Sequence, residues 1–224
     1  MVSPTCTVWW AAPVDPDGAP ALVGLLDDHE RERLERFRRP ADRGRYLAAH
    51  ALARLVLGGS GRGAAGVRFD RTCRCGAAHG KPVLPGGPGF SLTHAGALVG
   101  VAVRPDGAVG LDVEQVRTLA DLAALAAHVH SPAEQARTAA PEPAAFFRTW
   151  TRKEALLKAA GDGLATPMTT ITLGVQGVVE AWPGRGPWWV HDLSPAPDHP
   201  AAVAGPGERA PEVVEADGDA VLRN

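Results

Sequence analysis

The chain has 224 residues, 45% of them hydrophobic and 21% charged, with a formal net charge of −2. That length accommodates one large domain or two smaller ones, and ordinary apolar content with a small net charge excludes wholesale disorder. The near-neutral balance argues against a general nucleic-acid binder, and three cysteines supply no disulfide framework. No Lys or Arg precedes Arg31, so a secretory n-region is missing. The longest stretch without Asp, Glu, Lys or Arg, Pro82 to Val103, holds three prolines, five glycines and His94, a composition unfit for a membrane helix. The expectation is a cytoplasmic protein with no membrane partner.

In chain order, Val8 to Ala12 is predicted as a short strand. Helices are predicted from about Asp27 to Phe37 and from Ala41 to Leu57, the second stopped by Gly58-Gly59. Seven arginines fall between residues 31 and 45, interleaved with Glu32, Glu35 and Asp42, which reads as a solvated face with ion pairs at helical spacing. After a connector from Gly58 to Gly66, Val67 to Phe69 looks like a strand, and Gly80 to Gly89 is a Pro/Gly-rich loop. Phe90-Ser91-Leu92-Thr93-His94 alternates at period two and Ala97 to Val103 is apolar, so the pair reads as adjacent strands. Pro105-Asp106-Gly107 is a turn. Next comes a strand with Val109, Leu111 and Val113 on one face and Gly110, Asp112 and Glu114 on the other. The subdomain boundary is placed at this turn, giving halves of residues 1–104 and 105–224.

In the second half, Ser131-Pro132-Ala133-Glu134 has the capping-box arrangement. Pro143 to Ala160 should form a helix ended by Gly161. Ile171 to Val175, Val178 to Trp182, Trp188 to Val190 and Ala201 to Ala204 are predicted strands, and the last twenty residues should be peripheral.

Lysine is scarce, occurring only at Lys81, Lys153 and Lys158, and chemistry gathers near it. Asp112 and Glu114, at i, i+2 on a strand, aim two carboxylates to one side, a pairing that suits a hard cation such as Mg²⁺ or Mn²⁺. An ordinary strand with an acidic solvent face has the same spacing. Glu154 and Lys158 share a helical face at i, i+4, which fits a surface ion pair or a cleft. Gly80-Lys81-Pro82 and Thr93-His94 offer the close backbone approach and the donors that a phosphate requires, without the ending of a Walker loop. Cys73-Arg74-Cys75 with His79 is too tightly spaced for a zinc knuckle, and a second ligand pair is lacking unless Cys6 contributes. Two enzyme classes remain at this point: metal-assisted phosphoryl or phosphopantetheinyl transfer, and metal-dependent phosphoester hydrolysis.

Taken in order, these segments resemble the Sfp-type 4′-phosphopantetheinyl transferases. The resemblance rests on Val109-Gly110-Leu111-Asp112-Val113-Glu114 and on Trp150-Thr151-Arg152-Lys153-Glu154-Ala155-Leu156-Leu157-Lys158. Gly80-Lys81-Pro82, Phe90 to His94 and the Arg-rich segment ending in Phe37-Arg38-Arg39-Pro40 extend it over residues 30 to 174. It implies an α/β (α+β) fold of two similar halves related by a pseudo-twofold, with coenzyme A in the cleft between them, and, for a chain long enough to cover both halves, a monomer. The implied reaction moves phosphopantetheine to a serine of an acyl or peptidyl carrier protein of fatty-acid, polyketide, non-ribosomal peptide or lysine metabolism, releasing adenosine 3′,5′-bisphosphate.

The resemblance assigns Asp112, Glu114 and Glu154 to Mg²⁺, Glu154 to proton abstraction, and Asp112 and Lys158 to the pyrophosphate. It assigns Arg45, Gly80, Lys81, Pro82, Thr93 and His94 to the nucleotide. Three positions depart from the pattern: Glu30 replaces a residue that is basic in several relatives, Tyr46 replaces a small hydroxyl residue, and Thr93 stands where Ser is frequent. A non-catalytic coenzyme A or carrier-binding protein is the other reading of the same motifs. Leu119, Leu122 and Leu125 offer a carrier-docking face, or pack one amphipathic helix.

Overall fold

A computed structural model describes residues 5–59, 63–73, 76–77, 80–137 and 142–223. The chain begins with strand β1 (Thr5–Ala11) and helices α1 (Pro20–Leu25), α2 (Asp28–Arg36) and α3 (Pro40–Gly58). The hairpin β2 (Gly89–Ala95) and β3 (Leu98–Arg104) leads into β4 (Gly110–Val113). Helices α4 (Leu122–Val129), α5 (Pro132–Arg137) and α6 (Pro143–Ala160) follow, then β5 (Thr172–Leu173), β6 (Val179–Ala181), β7 (Trp188–Ala196), β8 (His199–Pro206), β9 (Glu212–Asp217) and α7 (Gly218–Arg223). The mixed α/β class is as expected, and among the described residues no helix is long and apolar enough to cross a membrane.

Local signals set the helix ends. The α2 cap is a full capping box, in which Asp27 accepts from the Glu30 amide at 2.9 Å and Glu30 accepts from the Asp27 amide at 3.1 Å. Pro at the first position starts both α3 and α6. Gly161, at φ 74, closes α6 by donating to Leu157.

The strands form three sheets, in orders β2-β3-β1-β9, β4-β8-β7 and β5-β6. Helix α3 packs its buried Leu47, Leu52 and Leu57 against Val99 and Val101 of the first sheet. Helix α6 packs Phe146, Leu156 and Leu157 toward Ala202 and Ala204 of the second. Between the two sheets lies a third apolar cluster, joining Cys6, Val8 and Ala102 to Leu111, Val113, Trp189 and Val203. The two faces of β4 therefore both serve: Leu111 and Val113 enter this shared core, and Gly110 and Asp112 turn toward α6. Gly110 permits that approach, because a Cβ there would lie 1.9 Å from the Ala155 carbonyl oxygen.

Two expectations are corrected. The last twenty residues are not peripheral: β9 pairs in parallel with β1 from Thr5↔Glu212 to Trp10↔Asp217, and Leu222 of α7 joins the first core. The chain thus returns across the expected boundary, because β1 would otherwise be an exposed edge. Val67 to Phe69 forms no strand. Val67 is buried, but its carbonyl accepts from the Arg54 guanidinium at 2.9 Å in place of a ladder amide, and pairing begins only at the bridge Asp70↔Val83.

Candidate active site

As the edge strand of its sheet, β4 has one row of amides without a strand partner. Two hydroxyls on β2, spaced i, i+2 and so on one face, supply it. The Leu111 amide donates to Ser91 Oγ at 3.0 Å and the Val113 amide to Thr93 Oγ1 at 3.1 Å. Thr93 passes its own proton on to Asp112 Oδ1 at 3.2 Å. The alternation of Phe90 to His94 thus fixes the strand that carries Asp112.

Lys158, in the last turn of α6, completes the arrangement. Its Nζ donates to Asp112 Oδ1 at 2.7 Å, to the Leu111 carbonyl at 2.9 Å and to the Leu92 carbonyl at 3.4 Å. The other carboxylate oxygen, Asp112 Oδ2, is buried without a hydrogen-bond partner. Burial pushes the Asp112 carboxyl pKa up, and Lys158 opposes that shift.

Glu154 stands one helical turn before Lys158, and among the described residues its carboxylate has no hydrogen bond or ion pair. Desolvation raises its pKa; the neighbouring charge of Asp112, and more weakly that of Glu114, adds to the rise, while Lys158 opposes it. Glu114 accepts from Arg117 at 3.0 Å. The three carboxylates thus share one electrostatic neighbourhood. They do not form a closed cage, since among the described residues no three His, Cys, Asp or Glu side chains converge on a common centre.

Asp112, Glu114 and Lys158 border a cleft of about 500 Å³. Gly80, Pro82, Thr93, His94, Asp112, Glu114 and Lys158, all expected at the site, line it. Arg45, Lys81 and Glu154 do not. Arg45 is tied to the Gly96 carbonyl at 2.8 Å and to Asp42 at 2.5 Å, and the Lys81 ammonium is committed to backbone carbonyls. His94 keeps an exposed edge at the cleft mouth. Desolvation of its ring, then the charges of Lys158 and Arg45, push its imidazole pKa down.

The opposite wall carries side chains that the sequence did not single out: His29, Arg33, His50 and Arg71. A buried carboxylate organises two of them. Glu30 accepts from Arg71 at 2.7 Å and Arg54 at 2.7 Å, and pairs with His50 Nδ1 at 2.9 Å. Asp27 accepts from Arg54 at 2.6 Å and from Arg71 at 3.1 Å. Glu30 is fully buried and holds His50 and Arg71 at the wall. Tyr46 stacks on His50 at 4.1 Å and also faces the cleft. One available signal was the i, i+4 spacing of Tyr46 and His50 on α3. Arg71 gave none, lying in an irregular segment. Cys75 and His79 lie outside the described residues. Cys6 is buried under the first sheet, where desolvation raises its thiol pKa to about 11.

A basic wall facing a carboxylate group with a bound lysine suits a substrate bearing several phosphates. Comparison with known proteins narrows the class. Residues 108–180 match the family model of the 4′-phosphopantetheinyl transferase superfamily. The chain is 33% identical over 211 residues to the 4′-phosphopantetheinyl transferase HetI of Nostoc sp., covering 88% of this chain and 86% of that one. It is 27% identical over 161 residues to the 4′-phosphopantetheinyl transferase of Bacillus subtilis, covering 68% and 67%. Over 88 residues it is 39% identical to AcpT of Salmonella typhi, covering 37% and 46%. The chain belongs to the 4′-phosphopantetheinyl transferase superfamily and is an enzyme of that class.

Proposed function

We propose that this chain moves the 4′-phosphopantetheine arm of coenzyme A onto a serine of an acyl or peptidyl carrier protein. The serine oxygen bonds to the phosphorus that carries the pantetheine. The bond from that phosphorus to the bridging pyrophosphate oxygen breaks, and adenosine 3′,5′-bisphosphate leaves. The serine proton passes to Glu154, whose desolvated and unpartnered carboxylate is suited to accept it, a contribution of roughly 10²- to 10⁴-fold. Lys158 holds Asp112 in place and brings positive charge beside the pyrophosphate. The basic wall of Arg33, His50 and Arg71 receives the nucleotide phosphates.

The donors suit a hard divalent cation in kind, because the buried Asp112 Oδ2 has no partner among the described residues and two further carboxylates stand near it, although the three do not converge on one centre in this structure. Asp112, Glu114 and Glu154 would hold Mg²⁺, or Mn²⁺ in its place. When bound, the ion offsets charge on the pyrophosphate and leaving group. For the carrier, Leu119 and Leu122 pack on the second core, which leaves Leu125, 40% exposed, as the available apolar contact on α4.

The observation that carries this reading is the Asp112–Lys158 pair with one carboxylate oxygen left over, set across a cleft from a basic wall. Intact-mass spectrometry of an apo carrier protein incubated with enzyme, coenzyme A and Mg²⁺ tests it. The expected result is a gain of one phosphopantetheine mass, lost with Glu154→Ala and lost without divalent metal. Coenzyme A binding with no gain on several acyl and peptidyl carriers would overturn transfer in favour of a non-catalytic binding role. Free phosphopantetheine would instead indicate hydrolysis.

A further inference from the structure

The geometry points to Lys81 as a positioning residue that fixes the catalytic end of α6 against β4, in place of a role as nucleotide ligand. The inference rests on the transferase reading and concerns how its site is held together. The Lys81 Nζ donates to the Val109 carbonyl at 2.9 Å and to the Lys158 carbonyl at 2.8 Å. The first carbonyl directly precedes β4. The second lies in the last turn of α6, where carbonyls have no intrahelical donor and the helix presents the negative end of its dipole.

The two lysines form a closed circuit. Lys81 holds the main chain of Lys158, and the side chain of Lys158 reaches back to the Leu111 carbonyl and to Asp112. Gly110 completes the contact by letting β4 touch the Ala155 carbonyl one turn earlier. The clamp comes from the first half of the chain, on a loop whose neighbours Gly80 and Pro82 line the cleft and whose path is fixed at Val83 by the two 2.9 Å bonds of the Asp70 bridge. A loop that borders the nucleotide cleft therefore also sets the position of Asp112 and Lys158.

With two of its three N–H groups used, the ammonium is not free to follow a phosphate. Burial, with the charge of Lys158 added, pulls its pKa down to about 8. The neutral amine keeps two N–H groups, enough for both carbonyls, so the clamp does not depend on charge.

The test separates binding from turnover, using full-length Lys81→Met and Lys81→Arg with an apo carrier protein, coenzyme A and Mg²⁺. Displacing catalytic groups by about an ångström costs on the order of 10²-fold. Lys81→Met should therefore lower kcat by about 10- to 100-fold while the Kd for coenzyme A, measured by calorimetry, stays within about threefold. Lys81→Arg, which keeps donors in the same place, should recover part of the lost kcat. A Kd raised about tenfold or more with kcat retained would overturn the inference and make Lys81 a ligand, as would unchanged kcat in Lys81→Met.

Should Lys81→Met fail to fold, side-chain ¹⁵N NMR of the wild type decides, since the chain has three lysines to assign. Couplings from the Lys81 Nζ to two backbone carbonyls, present with and without coenzyme A, are expected. Their loss when coenzyme A binds would overturn the clamp. Failure of the transferase reading would appear separately, as wild type that modifies no carrier while those couplings persist.

Discussion

Glu30 shows how far one buried carboxylate can govern a cleft that it does not line. Burial alone would raise its pKa, but the hydrogen bonds and charges of His50 and Arg54 outweigh that penalty and hold the carboxyl at about 2, below the ordinary 4.5. A depressed folded-state pKa contributes stability that is complete above the unfolded value and is lost as pH falls through the folded one. The window is therefore from about pH 4.5 down to about 2, and the contribution is on the order of 3 kcal/mol. Glu30→Gln should remove this part of the acid-unfolding slope. It should also destabilise the protein at pH 7 by about 3 kcal/mol, the size of that linkage contribution, because Arg54, only 1% exposed, keeps Asp27 but loses one of its two carboxylate partners. Urea denaturation of both proteins at pH 3 and pH 7 measures this, and equal pH dependence would show that Glu30 is not the titrating group. At this scale the sequence was informative where spacing fixes direction. Asp112 and Lys158 could be placed against each other because strand and helix periods decide which way side chains point, whereas Glu154, expected at the same site, does not line the cleft. Lys81 and Arg45 could not, since a long side chain on a loop or helix start has many reachable acceptors and only the folded chain chooses among them.

At the scale of elements, the site is a contact between β4 and α6, and Gly110 is the point of closest approach. Gly110→Ala would place a methyl group against the Ala155 carbonyl, backbone that cannot move aside without shifting α6. Overpacking of this kind costs about 1–3 kcal/mol, and more where backbone must shift. The variant should lose thermal stability and transfer activity together, because the displaced helix carries both Glu154 and Lys158. Thermal melts run beside the carrier assay check this; full activity in a destabilised variant would show that α6 recovers its place. A second device holds the middle of the helix. The Lys153 Nζ, fully buried, donates its three N–H groups to Glu134 at 2.5 Å and to the carbonyls of Val129 and Ile171 at 2.7 Å each, with the Met168 carbonyl a longer, shared acceptor at 3.2 Å. Helix α6 was legible to the residue, since Pro143 and Gly161 mark its ends with fixed backbone preferences. Strand β9 was not: its faces read exposed, intermediate, exposed, exposed, intermediate and exposed. A polar edge strand in a Pro/Gly/acid-rich tail gives no alternating apolar signal, and its partner β1 is some two hundred residues away.

At the scale of the whole molecule, the site requires the two halves to keep a fixed relation, because its basic wall comes from α2, α3 and the irregular segment carrying Arg71, and its carboxylates from β4, the residue after it and α6. Two features enforce that relation. The chain's end returns to the first sheet through β9, and the cluster between the sheets draws side chains from both sides of the expected boundary. Leu111 sits at its centre, fully buried, on the strand that also carries Asp112. Were the halves independent, truncating Leu111 would weaken one and leave the other. With a shared core, the chain should unfold in a single step, and Leu111→Ala should lower that one transition by about 2–5 kcal/mol without splitting it. Differential scanning calorimetry reads this directly, through the agreement of calorimetric and van't Hoff enthalpies in the wild type and in the variant. Two resolved transitions in the wild type would mean that the cleft joins separate folding units. The relation between its walls would then be set by the substrate, and no longer by the core.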